Sequence, residues 1–191
     1  MKLCFATNNR HKLEEVQAAV GGEILITSLE EEGIHEELPE TQNTLEGNAR
    51  QKARYVFEHY KIACFADDTG LEVDALGGEP GVYSARFAGP QRDSQDNSRL
   101  LLKKLSGESN RAAQFRTIIW LALQEGDWSF EGQLRGQILT EGRGNGGFGY
   151  DPLFMPEKST QTLAEMTMDE KNMISHRARA VAKLAEFLRK R

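Results

Sequence analysis

The sequence predicts an α/β protein built around a mixed β-sheet, and three observations support this. Short apolar runs typical of buried strands alternate with stretches whose apolar residues recur at helical spacing. Turn-forming residues separate these segments, and the sequence has no repeat period or low-complexity tract. The length of 191 residues suits one domain with a full core. We therefore expect a single domain over residues 1–191.

The first part of the chain predicts strands and helices in alternation. The predicted segments are a strand at residues 3–6, a helix carrying Leu13, Val16, Ala19 and Val20, a strand at 24–27, a helix at about 44–60 and a strand at 63–66. A polar turn, Thr7-Asn8-Asn9, precedes the first helix. Asp67-Asp68-Thr69-Gly70 has the composition of a turn that ends the third strand.

The second part predicts a longer strand and two further helices. The predicted segments are a strand at 71–74, a glycine-rich loop at 76–83, a helix at 94–105 capped by Asp93, strands at 113–123, 128–135 and 137–139, and a last helix capped by Ser175. Alternation in the long strand puts Phe115, Thr117, Ile119, Leu121 and Leu123 on one face.

Composition excludes several classes of protein. The net charge of −5 argues against a binder of nucleic-acid polymers, which needs a basic surface to displace counterions. Apolar runs such as residues 118–123 are far shorter than the roughly 20 residues of a membrane span, and a strand rather than a signal peptide is predicted at the N-terminus. Cys4 and Cys64 lie in apolar runs, which favours buried, reduced thiols. We expect a cytoplasmic protein without a membrane partner.

Charge is unevenly distributed along the chain. Residues 30–46 hold seven acids and no Lys or Arg, whereas residues 171–191 hold seven bases and one acid. Charge pattern alone favours solvated faces, but the polarity is also consistent with metal-binding groups in one region and phosphate-binding groups in another.

The first candidate site is Asn8-Asn9-Arg10-His11-Lys12, between the first strand and the first helix. Backbone amides at a helix N-terminus, together with side-chain amides and a lysine, suit a phosphate. A plain connector is the alternative.

The second candidate site gathers Asp67, Asp68, Glu72 and Asp74 within eight residues after an apolar strand. Adjacent carboxylates raise one another's pKa, so such clusters typically bind a cation or serve acid-base chemistry. Mg²⁺ prefers one or two carboxylates with water and substrate phosphates, which fits Asp67 or Asp68. An Asx-turn that caps the strand is the alternative.

The third candidate site is the segment 142–152, with five glycines among residues 142–149. It matches neither a Walker A loop nor a dinucleotide fingerprint. Glycines flanking Phe148 and Tyr150 allow an aromatic ring to stand clear and stack on a base, and a flexible hairpin is the alternative.

The fourth candidate site combines Asp169-Glu170-Lys171-Asn172 with Ser175-His176-Arg177. A His-Arg pair at a helix N-terminus opposes the helix dipole, which suggests an anion or polar ligand there. Surface charge is the alternative.

Taken together, the ordered blocks resemble the Ham1/RdgB-like inosine triphosphate pyrophosphatase family. These blocks are ATNNRHK (6–12), GNARQKA (47–53), ADDTGLEVDALGGEPGVYSARF (66–87), GNGGFGYDPLF (144–154) and AEMTMDEKNMISHRARA (164–180). The resemblance implies Mg²⁺-dependent hydrolysis of ITP, dITP or XTP to the monophosphate and pyrophosphate by a cytoplasmic homodimer. It also implies an elongated, two-lobed subunit around a long mixed sheet, with the nucleotide in a cleft between the lobes.

The resemblance also implies residue roles. Asp68 is the expected catalytic residue and metal ligand, beside Asp67. The expected substrate contacts are Thr7, Asn8, Asn9, Arg10, His11, Lys12, Lys52 and Thr69 toward the phosphates, and Phe148, Gly149, Tyr150, Asp151, Lys171, His176 and Arg177 toward base and sugar. Donors aimed at a 6-keto oxygen reject the 6-amino group of adenine.

One position departs from the family pattern. Many members carry a metal-binding Glu directly before the Asn-Ala of the long helix, where this chain has Gly47. The acid stands one residue earlier, at Glu46, and one residue turns a side chain by about 100° around a helix. Glu46 and Asp67 are therefore candidate further metal ligands.

Two other functions compete with this expectation. One is a Maf-like nucleotide pyrophosphatase acting on other triphosphates, although the FGYD and SHR blocks argue against it. The other is a nucleotide-binding regulator without catalysis, which Gly47 makes conceivable.

Overall fold

The computed structural model describes residues 2–20 and 24–190. Its strands are β1 (Lys2–Phe5), β2 (Leu25–Ser28), β3 (Cys64–Val73), β4 (Pro80–Gly81), β5 (Ala112–Leu123), β6 (Gly126–Ile138) and β7 (Phe154–Pro156). Its α-helices are α1 (Arg10–Val20), α2 (Leu45–Tyr60), α3 (Ser94–Lys104), α4 (Met168–Ile174) and α5 (His176–Arg189). The alternation of strands and helices confirms the predicted α/β class.

All of these strands belong to one mixed sheet in the order β2-β1-β3-β5-β6-β7, with β4 paired to β3. β1 pairs in parallel with both β2 and β3, whereas the β3–β4 and β6–β7 pairs are antiparallel. Parallel neighbours need crossover connections, and α1 and α2 lie in those connections.

The chain divides into two compact units. The first comprises Met1–Asp68, Thr117–Gly132 and His176–Arg191, and the second comprises Thr69–Arg116 and Gln133–Ser175. The first unit has two apolar clusters, one around Phe5, Phe65 and Leu184 and one around Leu29, Val56 and Ala66. The core of the second unit contains Leu71, Leu101 and Phe154. Each unit therefore has its own buried core.

Several sequence predictions are confirmed by burial. Alternate β5 residues from Ala113 to Leu123 are buried, including the predicted inward face. Cys4 and Cys64 are fully buried thiols, and burial raises the pKa of Cys4 to about 12. Asp93 caps α3 by accepting a hydrogen bond from the Asp96 amide at 2.8 Å.

The predicted turn at residues 67–70 was wrong, because β3 continues through it to Val73. Asp67 is buried and contacts charged partners, so this aspartate belongs to an ion pair rather than to a turn. Gly70 serves a close approach: a Cβ there would lie 2.5 Å from the Gly81 carbonyl oxygen of β4.

The predicted break between residues 135 and 137 was also wrong, because β6 is continuous to Ile138. A Cβ on Gly136 would lie 2.4 Å from the Met155 carbonyl oxygen, so this glycine allows close approach of β7.

Helix α4 was missed by the sequence analysis. Thr167 and Glu170 form a capping box at its N-terminus, and this Thr-x-x-Glu pattern is a signal that the sequence carried. α5 begins at His176, the position that the prediction required.

None of the helices in the described part of the chain combines the length and apolarity needed to cross a bilayer.

We predict that Gly132→Ala strongly destabilises the first unit. A Cβ at this β6 position would lie 1.9 Å from the His176 carbonyl oxygen and 2.6 Å from the Ala180 amide nitrogen of α5. Backbone cannot yield as a flexible side chain can, so we expect a loss of roughly 3 kcal/mol in the free energy of unfolding. Urea denaturation measures this loss.

The matched control is Gly142→Ala, where the nearest atom to an added Cβ is Pro152 Cβ at 3.4 Å. Equal stability of the Gly132 variant and the wild type would contradict the close packing of α5 on β6.

Candidate active site

Asp67 is a buried charged residue of the first unit with several cationic partners. It follows the apolar start of β3 and is 1% exposed. Lys12 Nζ lies 2.9 Å from its Oδ1, and Arg177 Nε lies 3.2 Å from its Oδ2. Its backbone carbonyl accepts a hydrogen bond from Lys52 Nζ at 2.7 Å. One buried residue thus binds cations from α1, α2 and α5.

Burial and charge together set the pKa values of this cluster. Burial works to raise the pKa of Asp67, but Lys12, Arg177 and Lys52 outweigh it and hold that pKa well below its usual range. Burial lowers the pKa of Lys12, an effect that Asp67 partly offsets. Burial would also lower the pKa of Arg177, but Asp67 and Glu15 raise it on balance.

Arg177 explains why a basic pair stands at the start of α5. Its guanidinium is buried. It donates through Nε to Asp67 and through Nη1 to Glu15 of α1. The anions that this pattern predicted are therefore supplied by the chain itself. Glu15 was missed because one acid on a helix has no distinctive spacing.

Asp68 has a different environment from its neighbour. Its side chain is 13% exposed, its Oδ2 accepts a hydrogen bond from Asn48 Nδ2 at 3.1 Å, and its Oδ1 lies 4.0 Å from Lys52 Nζ. Burial raises the pKa of Asp68 despite the opposing effects of Lys52 and Lys12. A partly exposed carboxylate with a raised pKa is suited to exchanging a proton.

Lys52 joins this carboxylate to the acidic segment. Its ammonium lies 2.7 Å from Glu40, whose side chain is 26% exposed. Burial would lower the pKa of Lys52, but Asp68, Glu40 and Asp67 raise it on balance. The sequence analysis missed Glu40 because nothing distinguishes it from the other six acids of residues 30–46.

The start of α1 supports only part of the predicted phosphate loop. The Asn9 side chain accepts from the Lys12 amide at 3.2 Å, and Thr7 Oγ1 accepts from the Asn9 amide at 3.1 Å. Arg10 and His11 are exposed and approach Glu14 at 3.1 and 3.9 Å. Lys12 therefore reaches the Asp67 cluster, whereas the Arg10 and His11 side chains lie on the surface.

The start of α2 holds the candidate metal ligand Glu46 and, beside it, Gly47. Glu46 is exposed in the first turn. A Cβ on Gly47 would lie 2.7 Å from Gln42 Cβ, so glycine lets the preceding loop pack on the helix. Among residues 2–20 and 24–190, no group of three or more His, Cys, Asp or Glu is arranged to hold a metal.

In the second unit, Lys171, Asp151 and Phe148 form a compact cluster. Lys171 Nζ lies 2.6 Å from Asp151 Oδ2 and 5.1 Å from the centroid of the Phe148 ring. Asp151 Oδ2 also accepts from the Phe148 amide at 2.9 Å. A Cβ on Gly147, at φ +67°, would lie 2.1 Å from the same oxygen, so the glycine makes room for this carboxylate.

Tyr150 does not stand clear as the loop composition suggested. It is 5% exposed, lies in the apolar core of the second unit and donates its hydroxyl to the Ser84 carbonyl at 2.9 Å. Burial raises its pKa. Phe148 and Gly149 are only partly buried, which leaves the Phe148 ring as the candidate stacking surface.

Two further predicted residues lie beside these clusters in sequence. Thr69 follows Asp68 in β3 and is partly buried. His176 is 3% exposed and opens α5.

Comparison with known proteins identifies the family of this chain. The profile of the Ham1 family matches residues 3–187. The chain belongs to the Ham1 family. This membership confirms the resemblance of the ordered sequence blocks.

Curated relatives and a solved structure match nearly the whole chain. The chain is 50% identical over 188 residues to a dITP/XTP pyrophosphatase of Flavobacterium johnsoniae, covering 98% of each protein. It is 52% identical over 188 residues to a dITP/XTP pyrophosphatase of Porphyromonas gingivalis, covering 98% of this chain and 97% of the relative. The Ham1 protein of Staphylococcus aureus superposes with a TM-score of 0.90 at 34% identity, covering 100% of this chain and 99% of that one.

We predict that Asp67→Asn destabilises the protein by about 3–5 kcal/mol at neutral pH, because it leaves Lys12 and Arg177 as buried cations without their carboxylate. Chemical denaturation measures the loss. Since the folded-state pKa of Asp67 is depressed, its contribution is present above the unfolded pKa of about 3.9 and is lost as pH falls. The difference in free energy of unfolding between Asp67→Asn and the wild type should therefore decrease in acid.

Asp96→Asn is the matched control, because Asp96 forms an exposed ion pair with Arg99. A loss as small in Asp67→Asn as in this control would contradict the role of Asp67 as the centre of the cluster.

Proposed function

We propose that this chain is a pyrophosphatase that hydrolyses the non-standard purine nucleotides ITP, dITP and XTP to the monophosphate and pyrophosphate. The observation that carries the proposal is the pair Asp67 and Asp68, in which one carboxylate fixes the cations and the next is held ready for chemistry. The dITP/XTP pyrophosphatases at 50% and 52% identity support the substrate class.

The triphosphate contacts in this proposal come from the start of α1, from α2 and from β3. Residues 7–12 contribute backbone amides at the start of α1 and the Lys12 ammonium, while α2 contributes Lys52. Both ammonium groups are held by Asp67, so their positions do not depend on the substrate. Thr69, next to Asp68, is a further contact. Fixed cations of this kind stabilise the charge that develops on departing pyrophosphate.

Asp68 orients or deprotonates the water that attacks the α-phosphorus in line with the leaving pyrophosphate. Its raised pKa and partial exposure support this role. The Asn48 amide fixes one carboxylate oxygen and thereby the direction of the other.

The donor set also fits Mg²⁺. Asp68 and Glu40 are partly exposed carboxylates that share Lys52 as a neighbour, and Mg²⁺ needs only one or two carboxylates beside phosphates and water. We place the metal on Asp68, with Glu40 or the exposed Glu46 as the second ligand. Asp67 fits poorly, because both of its carboxylate oxygens contact cations. When bound, the metal would neutralise charge on the phosphates.

The base contacts in this proposal come from Phe148, Lys171 and the start of α5. Phe148 stacks on the purine, and Lys171, already fixed by Asp151, directs its ammonium toward the 6-keto oxygen. His176 and Arg177 complete the base and sugar contacts. Asp151 Oδ2 accepts from Lys171 and Phe148, so it is not aimed at a purine amine. Guanine would then bury its 2-amino group without a partner, at a cost of about 1–3 kcal/mol.

Three coarser expectations belong to the same proposal. We propose that residues 1–191 act as one domain, that the enzyme is a homodimer, and that it works in the cytoplasm on free nucleotides. The resemblance supports these statements, and the acidic net charge supports a mononucleotide rather than a nucleic-acid polymer as the partner.

We predict Mg²⁺-dependent release of pyrophosphate from ITP, dITP and XTP, with ATP and GTP hydrolysed at least about tenfold more slowly. The physical reason is discrimination at the 6-position and the 2-position of the purine. Pyrophosphate release from a panel of nucleotides, with and without Mg²⁺, measures it. Equal rates on ATP would contradict the substrate class, pyrimidine preference would favour a Maf-like enzyme, and binding without turnover would favour a regulator.

We predict that Asp68→Asn lowers kcat by at least about 100-fold, because the amide keeps the shape but loses proton exchange and charge. Steady-state kinetics with ITP measure the effect, and thermal melting verifies the fold.

Asp74→Asn is the matched control, since Asp74 lies in the same acidic stretch but pairs with Arg135. Turnover of the Asp68 variant close to that of this control would remove Asp68 from the mechanism.

A further inference from the structure

Four charged residues of the first unit are linked in series by ion pairs, and three of them are buried. Lys12 binds Asp67, Asp67 binds Arg177, and Arg177 binds Glu15. Lys12 and Glu15 both project from α1 and are three residues apart, so they share one face of that helix. This series of ion pairs therefore starts and ends on α1, and the formal charges of its four residues cancel.

We infer that Glu15 is a positioning residue for the triphosphate site, which holds the Arg177 guanidinium so that Asp67 keeps one oxygen for Lys12. The inference rests on the proposed function, in which Lys12 contacts the phosphates. Glu15 is 2% exposed and acts through Arg177 rather than by touching the substrate.

The geometry of the guanidinium carries this inference. Arg177 donates through Nε to Asp67 and through Nη1 to Glu15, so its donors are divided between two carboxylates. An arginine with only one carboxylate within reach prefers to bind both of its oxygens in a fork. Without Glu15, Arg177 would turn toward Asp67 Oδ1, the oxygen that Lys12 Nζ contacts at 2.9 Å.

Loss of that contact displaces the Lys12 ammonium. The Lys12 side chain is 14% exposed, and its position is set by the 2.9 Å contact with Asp67. A displaced Lys12 ammonium no longer makes its charge-assisted hydrogen bond to the phosphate. The loss of one such bond corresponds to about tenfold weaker phosphate binding or more. Stability alone does not predict this effect on phosphate affinity.

The test compares Glu15→Gln with Val16→Ala. Val16 is the next residue of α1 and is fully buried in the apolar core. Its replacement by alanine lowers the free energy of unfolding through a cavity and leaves the four ion-paired residues unchanged. Calorimetry with inorganic tripolyphosphate, a probe without a base, measures phosphate affinity of the folded protein. We expect binding to be about tenfold weaker in Glu15→Gln and within about twofold of wild type in Val16→Ala.

Glu15→Asp covers the case in which Glu15→Gln does not fold. It keeps the charge but shortens the reach to Arg177, so we expect affinity between those of the wild type and Glu15→Gln. The double variant Glu15→Gln/Arg177→Gln should bind tripolyphosphate no more weakly than Arg177→Gln alone, because the inference routes the effect of Glu15 on Lys12 through Arg177.

Wild-type affinity in Glu15→Gln or Glu15→Asp, an equal loss in Val16→Ala, or additive losses in the double variant would each overturn the inference. A wild-type protein that does not bind tripolyphosphate would overturn it together with the phosphate role of Lys12. If the expected pattern appears but ITP is not hydrolysed, the proposed function fails and the positioning role of Glu15 stands.

Discussion

The arrangement of the first unit depends on one buried carboxylate. Removing Asp67 from water costs free energy that only close, well-oriented cations can offset. Lys12, Lys52 and Arg177 meet that need from three different helices, two through the carboxylate and one through the backbone carbonyl. The contacts that Asp67 requires therefore hold the starts of α1 and α5 and the middle of α2 against the same part of β3.

Two adjacent aspartates acquire opposite properties from this environment. Asp67 contacts cations on both oxygens, which lowers its pKa and favours the carboxylate over the protonated acid. Asp68 points to a partly exposed position where burial outweighs the more distant lysines, which raises its pKa. The pKa values of two neighbours in sequence are thus shifted in opposite directions, because successive side chains of a strand point to opposite faces and meet different surroundings.

The sequence was informative where a pattern is local. Alternation in β5 predicted its buried face, and Asp93 predicted the start of α3. It was misleading where a residue type has two uses: Asp-Asp-Thr-Gly is turn chemistry in water but lies within a strand once Asp67 has buried partners. Partners distant in the chain, such as Glu15 with Arg177 and Glu40 with Lys52, have no sequence signal, since their proximity exists only after folding. The burial of Tyr150 has no local signal for the same reason, because its hydroxyl donates to the carbonyl of Ser84, which is distant in the chain.

The second cluster applies the same physical rule to selectivity. Asp151 is 3% exposed and its Oδ2 accepts from Lys171 and Phe148, so this oxygen is satisfied before any base arrives. In the proposed function, this leaves Lys171 as the group that addresses the base, and an ammonium can only donate. A site whose fixed polar group is a donor favours a keto oxygen and gives no compensation to an amine. In both clusters, then, the ammonium group of a lysine is held in place by a buried aspartate.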